Sequence, residues 1–248
     1  QMIEVTVVNP TLTDQGWSFG GFPGADEDPL FGARYMHELY TRADAHFTGR
    51  ATVPVLWDMK RNVMVNNESA DILRMFDTAF EHLVASDVRL YPGEYAEKID
   101  DINPRLYSLL NNGVYKAGFA TSQAAYDEAM DGIFAMLGEL EDRLTGDFLF
   151  GTALTESDIR AFVTLIRFDA AYHGLFKTNR HQIRDYPRLS AYLARILQIP
   201  GVRETVDMDH ILHGYYSIKA LNPLGVVPKA PAHVTELLSC GSELGEDS

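Results

Sequence analysis

The spacing of apolar residues changes along the chain. The first third contains short runs typical of β-strands, at residues 2–8, 53–57 and 62–65. The last two runs flank the polar residues 58–61, so they predict a hairpin. Residues 14–50 hold a Gly-rich loop followed by a predicted helix. The sequence therefore predicts a first unit of strands and helices.

Residues from about 78 to 220 have helical spacing instead. Apolar side chains recur at the helical period at Ile133, Met136, Leu137, Leu140 and Leu144, and again at Leu189, Leu193, Ile196 and Leu197 after Pro187. Thr155 and Asp158 form a capping box that predicts a helix start. The change of period places a boundary near 78–95. The tail from Val226 is rich in Pro, Ser, Gly and acidic residues, so we expect it to wrap the surface or to be disordered.

Composition and charge narrow the classes of function. The chain has 248 residues, of which 46% are hydrophobic and 23% charged, and no apolar run reaches bilayer length, so a globular protein outside the membrane is expected. A formal charge of −14 opposes binding to nucleic acid. Cys240 is the single cysteine, which excludes an intrachain disulfide, and no signal-peptide pattern opens the sequence. A reducing compartment, the cytoplasm, is the expected location.

Two short segments carry candidate binding chemistry. Pro54 cannot donate to a strand ladder, so Val53–Pro54 suits a bend, with a candidate cis bond, at the entry to a strand. The main chain of Val53 would then be free to pair with an extended peptide. Glu68 and Ser69 open a predicted helix whose amides suit a carboxylate, while Glu68 suits an ammonium, so together they suit the head of an amino acid. The alternative is that Asn67 caps this helix and Glu68 only complements its dipole.

Longer segments resemble one known family. The matching segments are Gly49–Asp58, Asn67–Ser69, Ile72–Phe76 and Asn111–Gln123, together with Asp14–Phe19, Arg167–Asp169 and His210–Pro223. Over residues 2–225 and in the same order, they resemble the glutathionyl-hydroquinone reductases, the Xi class of glutathione transferases. The resemblance implies an α+β fold. A thioredoxin-like glutathione-binding domain at 1–80, without its first strand and helix, precedes an all-α acceptor-substrate domain at 81–225 and a C-terminal tail at 226–248.

The same resemblance implies the site residues. Glutathione, a co-substrate, would contact Trp17, Arg50, Val53, Glu68 and Ser69. The hydroquinone would be lined by Tyr115, Tyr172, Tyr215 and Tyr216, with Tyr115 and Tyr215 in catalytic roles. A phenol, with a pKa of ~10, can stack on an aromatic substrate and donate a hydrogen bond to its oxygen. A homodimer is also implied.

The nucleophile of the family is a cysteine in a Cys-Pro-Trp-type motif, which the resemblance places before the first residue of this chain. Its thiolate would remove the glutathionyl group from a glutathionyl-hydroquinone, and a second glutathione would resolve the mixed disulfide. Cys240 lies in the polar tail with no predicted strand or helix start to position it, so we do not assign it this role.

Other readings remain open. The chain could be a non-catalytic glutathione-transferase-like scaffold or binding protein, or a transferase that conjugates glutathione by means of a Tyr or Ser hydroxyl. His210 and His213 share a helix face, but no further ligands have suitable spacing, so no metal is expected.

Overall fold

The first part of the fold contains two helices and a hairpin. The structure is a computed structural model, and it describes residues 3–80, 82–83 and 88–239. Helix α1 (Met36–Ala43) precedes the antiparallel strands β1 (Leu56–Asp58) and β2 (Val63–Asn66), and helix α2 (Ser69–Thr78) follows them. The predicted order of loop, helix, hairpin and helix is therefore confirmed.

Two predicted strands differ from the structure. No strand forms in residues 3–8, and Met2 lies outside the described residues. Val7 instead exchanges two 2.7 Å hydrogen bonds with Asp26, one with its main chain and one with its carboxylate. The strand predicted at 53–57 begins only at Leu56, because Pro54 has no N–H with which to join the ladder. The Val53–Pro54 bond is cis, as the sequence suggested.

The rest of the described chain is helical. Its helices are α3 (Ala96–Leu106), α4 (Gly113–Gly118), α5 (Gln123–Arg143), α6 (Glu156–Arg167), α7 (His173–Leu175), α8 (Pro187–Ile196), α9 (Met208–Tyr216) and α10 (Ala232–Ser239). Two π-helical turns interrupt this series, at Tyr107–Asn111 and Phe168–Tyr172. The apolar stripes predicted on α5 and α8 are buried in the core between the helices, which confirms their spacing as a sign of helix packing.

Helix α6 begins at the predicted capping box. The buried Asp158 carboxylate accepts hydrogen bonds from the Thr155 N–H and hydroxyl, both at 2.8 Å. It also accepts from the Leu149 N–H and the Tyr192 hydroxyl, both at 2.9 Å. Burial raises the pKa of Asp158 above its usual value. One carboxylate thus joins the start of α6 to the preceding loop and to α8.

The tail is more ordered than predicted. Residues 232–239 form α10, with Val234 buried. The Nε2 atom of His233 lies 2.8 Å from the Asp169 carboxylate, and Arg203 donates to the Leu237 carbonyl at 2.9 Å. The alternative of a disordered tail is wrong for this segment, because Val234 and Leu237 share a helical face that packs on the core. The alternative of a tail that wraps the surface is compatible with α10.

A half-buried ion pair joins the two parts of the fold. Arg74 on α2 donates two 2.8 Å hydrogen bonds to Glu156, a fully buried residue at the start of α6. Hydrogen bonding to Glu156 raises the pKa of Arg74. The Arg74 guanidinium also lies 3.4 Å from the ring centroid of Tyr91, a cation–π contact. The ion pair between Arg74 and Glu156 holds α2 against α6.

Beside the ion pair, a cleft of about 480 Å³ separates α2 from α3 and α6, with Glu68 at its rim. Within the described ranges, no helix combines the length and the apolar character needed to cross a membrane.

Candidate functional site

Three tyrosine hydroxyls from distant parts of the chain form a hydrogen-bonded series. Tyr115 lies on α4, Tyr172 ends a π-helical turn, and Tyr215 lies on α9. The Tyr215 hydroxyl is 2.8 Å from that of Tyr115 and 2.6 Å from that of Tyr172. The structure therefore brings together three of the four tyrosines that the resemblance selected.

The two ends of this hydroxyl series differ in exposure. Tyr115 is 37% exposed, whereas Tyr172 is 3% exposed. Burial is the main reason why the pKa values of Tyr115 and Tyr172 are both raised above the usual value for a phenol. Both phenols therefore stay protonated at neutral pH. The series can offer a proton at its exposed end to an oxygen of a bound aromatic molecule.

Phe176 forms the floor under the tyrosines and was not predicted from the sequence. It is fully buried, and its ring centroid lies 5.2 Å from that of Tyr115, 5.3 Å from Tyr172 and 5.7 Å from Tyr215. Its position four residues after Tyr172 is the one signal in the sequence, since residues at that spacing share a helix face. Aromatic rings thus surround the hydroxyl series and favour a flat aromatic ligand.

Gly118 on α4 leaves room for this floor. A Cβ atom at residue 118 would stand 2.6 Å from Cγ of Phe176, closer than packed carbon atoms approach. We expect Gly118→Ala to lower the free energy of unfolding by about 1–3 kcal/mol, because the Phe176 ring must shift in a packed core. Urea denaturation measures this change, and near-UV circular dichroism reports the displaced rings.

Gly138→Ala is the matched control, since nothing lies within 4 Å of a Cβ atom at that position on α5. It should be neutral or stabilising by up to about 1 kcal/mol, the helix preference of Ala over Gly. Equal unfolding free energies for the two variants would contradict the packing argument.

Tyr216 stands apart from the hydroxyl series. Its hydroxyl lies 3.2 Å from the position that a Cβ atom on Gly174 would occupy. Burial raises the pKa of Tyr216. Tyr216 therefore follows Tyr215 on α9, but its hydroxyl lies beside Gly174 and not in the hydroxyl series.

The start of α2 carries Glu68 and Ser69, both exposed. No side chain caps this helix, and the Glu68 N–H donates to the Asn66 side chain at 2.7 Å. Asn67 does not cap the helix, so that part of the alternative is wrong: its amide donates to the Tyr40 hydroxyl at 3.0 Å. The first-turn amides of α2 can therefore receive a carboxylate.

The other residues expected to contact glutathione lie on the segments around α1. Trp17 and Val53 are half-buried against the small core that includes Tyr40, while Arg50 is exposed. The Trp17 carbonyl accepts from the Met36 N–H at 2.9 Å, which ties its loop to α1. Trp17 and Val53 can therefore present one face to a ligand while the other packs on the core.

The two histidines considered for a metal bind main-chain atoms. The Nε2 atom of His210 is 2.7 Å from the Pro23 carbonyl, and Nδ1 of His213 is 2.8 Å from the Asp209 carbonyl. Both rings contact Phe22. In the part of the chain that the structure describes, no group of three or more His, Cys, Asp or Glu residues could hold a metal ion. Cys240 lies outside the described residues.

Comparison with known proteins identifies relatives. Residues 123–195 match the family model described as glutathione S-transferase, C-terminal domain. The chain is 49% identical to the glutathionyl-hydroquinone reductase YqjG of Escherichia coli K12, over 92% of this chain and 71% of that protein. It is 45% identical to the glutathionyl-hydroquinone reductase PcpF of Sphingobium chlorophenolicum, over 94% and 75%.

Solved structures of glutathione transferases resemble this chain over most of its length. The glutathione-bound structure of YqjG from Escherichia coli K-12 matches with a TM-score of 0.89 at 48% identity, covering 91% of this chain and 75% of that one. Glutathione transferase Xi 1 from Trametes versicolor matches with a TM-score of 0.90 at 46% identity, covering 93% and 82%. The predicted α+β fold, a thioredoxin-like part followed by an all-α glutathione-transferase part, is confirmed. The chain belongs to the glutathionyl-hydroquinone reductases, the Xi class of glutathione transferases.

Proposed function

We propose that this protein is an enzyme that reduces glutathionyl-hydroquinones to hydroquinones with glutathione as co-substrate. The observation that carries the proposal is the hydroxyl series of Tyr115, Tyr215 and Tyr172, which has one exposed end and an aromatic floor. Such a group of phenols and aromatic rings suits a ring that bears oxygen atoms. The names of the relatives point to the same chemistry.

The reaction proceeds by attack of a cysteine thiolate on the sulfur of the aryl thioether. The carbon–sulfur bond breaks, a cysteine–glutathione disulfide forms, and the ring carbon takes a proton. A glutathione thiolate then attacks this disulfide and releases glutathione disulfide and the cysteine thiolate. Overall, one glutathionyl-hydroquinone and one glutathione give one hydroquinone and one glutathione disulfide. The nucleophile is the cysteine that the family resemblance implies.

Tyr115 and Tyr215 are the proposed catalytic residues. The three hydroxyls of the series have three protons and two hydrogen bonds between them, so one proton is free for the ligand. Tyr215 donates it to a hydroquinone oxygen when Tyr215 accepts from both neighbours, and Tyr115 donates it when Tyr115 accepts from Tyr215, which stabilises the charge that develops on the ring. Tyr172, at the buried end of the hydroxyl series, and Tyr216, beside it on α9, complete the proposed hydroquinone site. A phenol keeps its proton at neutral pH, so Tyr115 can act as a donor there.

Glutathione binds between the Val53 bend and the start of α2 in this proposal. The main chain of Val53 pairs with the tripeptide, and Glu68 and Ser69 hold its γ-glutamyl head. Arg50 binds a carboxylate and Trp17 forms a wall. Residues 1–80 are thus the glutathione-binding domain, 81–225 the acceptor domain and 226–248 the tail. We place the enzyme in the cytoplasm as a homodimer.

Glu68→Ala should weaken glutathione binding about tenfold or more, since an ammonium loses its charged partner. Turnover at saturating glutathione should change little, because Glu68 is remote from the reacting sulfur in this proposal. Titration calorimetry on the full-length gene product measures the Kd. Glu128→Ala, at an exposed position on α5, is the control and should leave the Kd unchanged.

Measurements of turnover, conjugation and glutathione uptake separate the proposal from its rivals. With a glutathionyl-hydroquinone and glutathione, the full-length enzyme should release hydroquinone and glutathione disulfide in equal amounts. A conjugating transferase would instead consume glutathione and an electrophile without forming the disulfide. Glutathione uptake without any turnover would identify a binding protein, and no uptake at all would refute the proposal.

A further inference from the structure

Tyr40 is a buried residue whose hydroxyl points toward two exposed segments. It lies on the inner face of α1 with Met36 and Leu39, and it is 2% exposed. Its ring packs on Phe47, with the ring centroids 4.9 Å apart. This packing determines where the hydroxyl is placed, because the ring cannot turn away without disturbing the small core.

The hydrogen-bonding capacity of this hydroxyl is fully used. It donates to the Thr52 carbonyl at 2.8 Å, and it accepts from the Thr52 N–H at 3.2 Å and from the Asn67 amide at 3.0 Å. The Thr52 hydroxyl is a longer contact, at 3.3 Å. A phenol has one donor and two acceptor positions, so these three bonds saturate it. Because its ring is buried and its hydrogen bonds are all made, the Tyr40 hydroxyl has one preferred position, and this position constrains Thr52 and Asn67.

The partners of Tyr40 adjoin the two segments that are expected to hold glutathione. Thr52 directly precedes the Val53–Pro54 bend, and Asn67 directly precedes Glu68 and Ser69 at the start of α2. One oxygen atom is therefore a shared partner of both segments, which are otherwise separated by the hairpin of β1 and β2.

We propose that Tyr40 is a positioning residue for glutathione, setting the spacing between the Val53 main chain and the start of α2. This inference rests on the proposed function. A tripeptide that pairs with Val53 and places its head at Glu68 needs both segments at one separation. Preorganisation of that separation strengthens binding, since the ligand then does not have to order the segments itself.

Tyr40→Phe tests the inference, because phenylalanine keeps the packed ring and removes only the hydroxyl. On the full-length gene product, the Kd and the KM for glutathione should rise about 3- to 10-fold. The kcat at saturating glutathione should stay within about twofold of wild type, because the tyrosines around the acceptor are untouched. A merely structural role would lower the melting temperature without this split between KM and kcat.

A double-mutant cycle with Asn67→Ala gives a second readout. Asn67→Ala alone should raise the Kd for glutathione by less than Tyr40→Phe, since it breaks one of the three bonds. In the Tyr40→Phe background it should add almost nothing, because its partner is already gone. An effect of equal size in both backgrounds would overturn the proposal.

Tyr126→Phe is the matched control. Tyr126 lies on α5, and its hydroxyl donates to the Lys177 carbonyl at 2.6 Å and, within the described residues, forms no hydrogen bond with the segments around Val53 or α2. Removal of this hydroxyl should leave the Kd for glutathione unchanged. If the Kd of Tyr40→Phe stays within twofold of wild type while Glu68→Ala binds glutathione more weakly as expected, the positioning role of Tyr40 is overturned and the proposed function is not. Absence of glutathione uptake by the wild-type protein would overturn this role and the proposed function together.

Discussion

Tyr215→Phe should lower kcat on a glutathionyl-hydroquinone by about 100-fold, the largest loss expected for any of the tyrosines. Tyr215 is the central hydroxyl of the series, within 2.8 Å of Tyr115 and 2.6 Å of Tyr172. Its loss removes one proposed donor and separates the other two hydroxyls, so that Tyr115 loses the neighbour that orients its proton. Steady-state kinetics of the full-length enzyme measure the change.

Comparison among tyrosine variants makes this result specific. Tyr115→Phe should cost less, about tenfold in kcat, because the bond between Tyr215 and Tyr172 survives. Tyr126→Phe should have no effect on kcat. Glutathione binding should stay the same in all three variants, since none of them touches the segments around Val53 and α2. A kcat of Tyr215→Phe within threefold of wild type would remove the hydroxyl series from the mechanism.

Asp158→Ala should lower the free energy of unfolding by about 3–5 kcal/mol, the largest stability effect that we expect from one substitution. The substitution removes the capping box of α6 and leaves the Thr155 N–H, the Thr155 hydroxyl and the Leu149 N–H without their acceptor. The Tyr192 hydroxyl keeps only the Asp158 carbonyl, at 3.3 Å. Buried donors without a partner are costly because water cannot reach them. Urea denaturation with an unchanged m-value measures the loss.

Asp131→Ala is the control for this stability prediction. Asp131 forms a surface ion pair with Arg180 at 2.8 Å, and its side chain is 76% exposed. Its removal should cost less than about 1 kcal/mol, because solvent screens exposed pairs. A similar loss for both variants would mean that the buried contacts of Asp158 contribute no more than a surface charge.

Local chemistry explains what could be predicted from the sequence. The hairpin, the helical stripes of α5 and α8, and the capping box at Thr155 depend on residues within a few positions of one another, so their spacing is sufficient evidence. The strand expected at 2–8 was wrong in residues 3–8 because a strand also needs a partner, and Val7 bonds to a loop residue instead. The helix α10 was missed because the composition of the tail outweighed the apolar face of Val234 and Leu237.

The sequence by itself determined the fold class, the order of the elements and, through a resemblance, which tyrosines to examine. Only the tertiary structure decided that Tyr115 and Tyr215, 100 residues apart, share a hydrogen bond. It also revealed Phe176 beneath them and Tyr40 between two segments. The physical reason is that secondary structure follows from near neighbours, whereas a site is built by contacts between distant residues, and no periodicity records them.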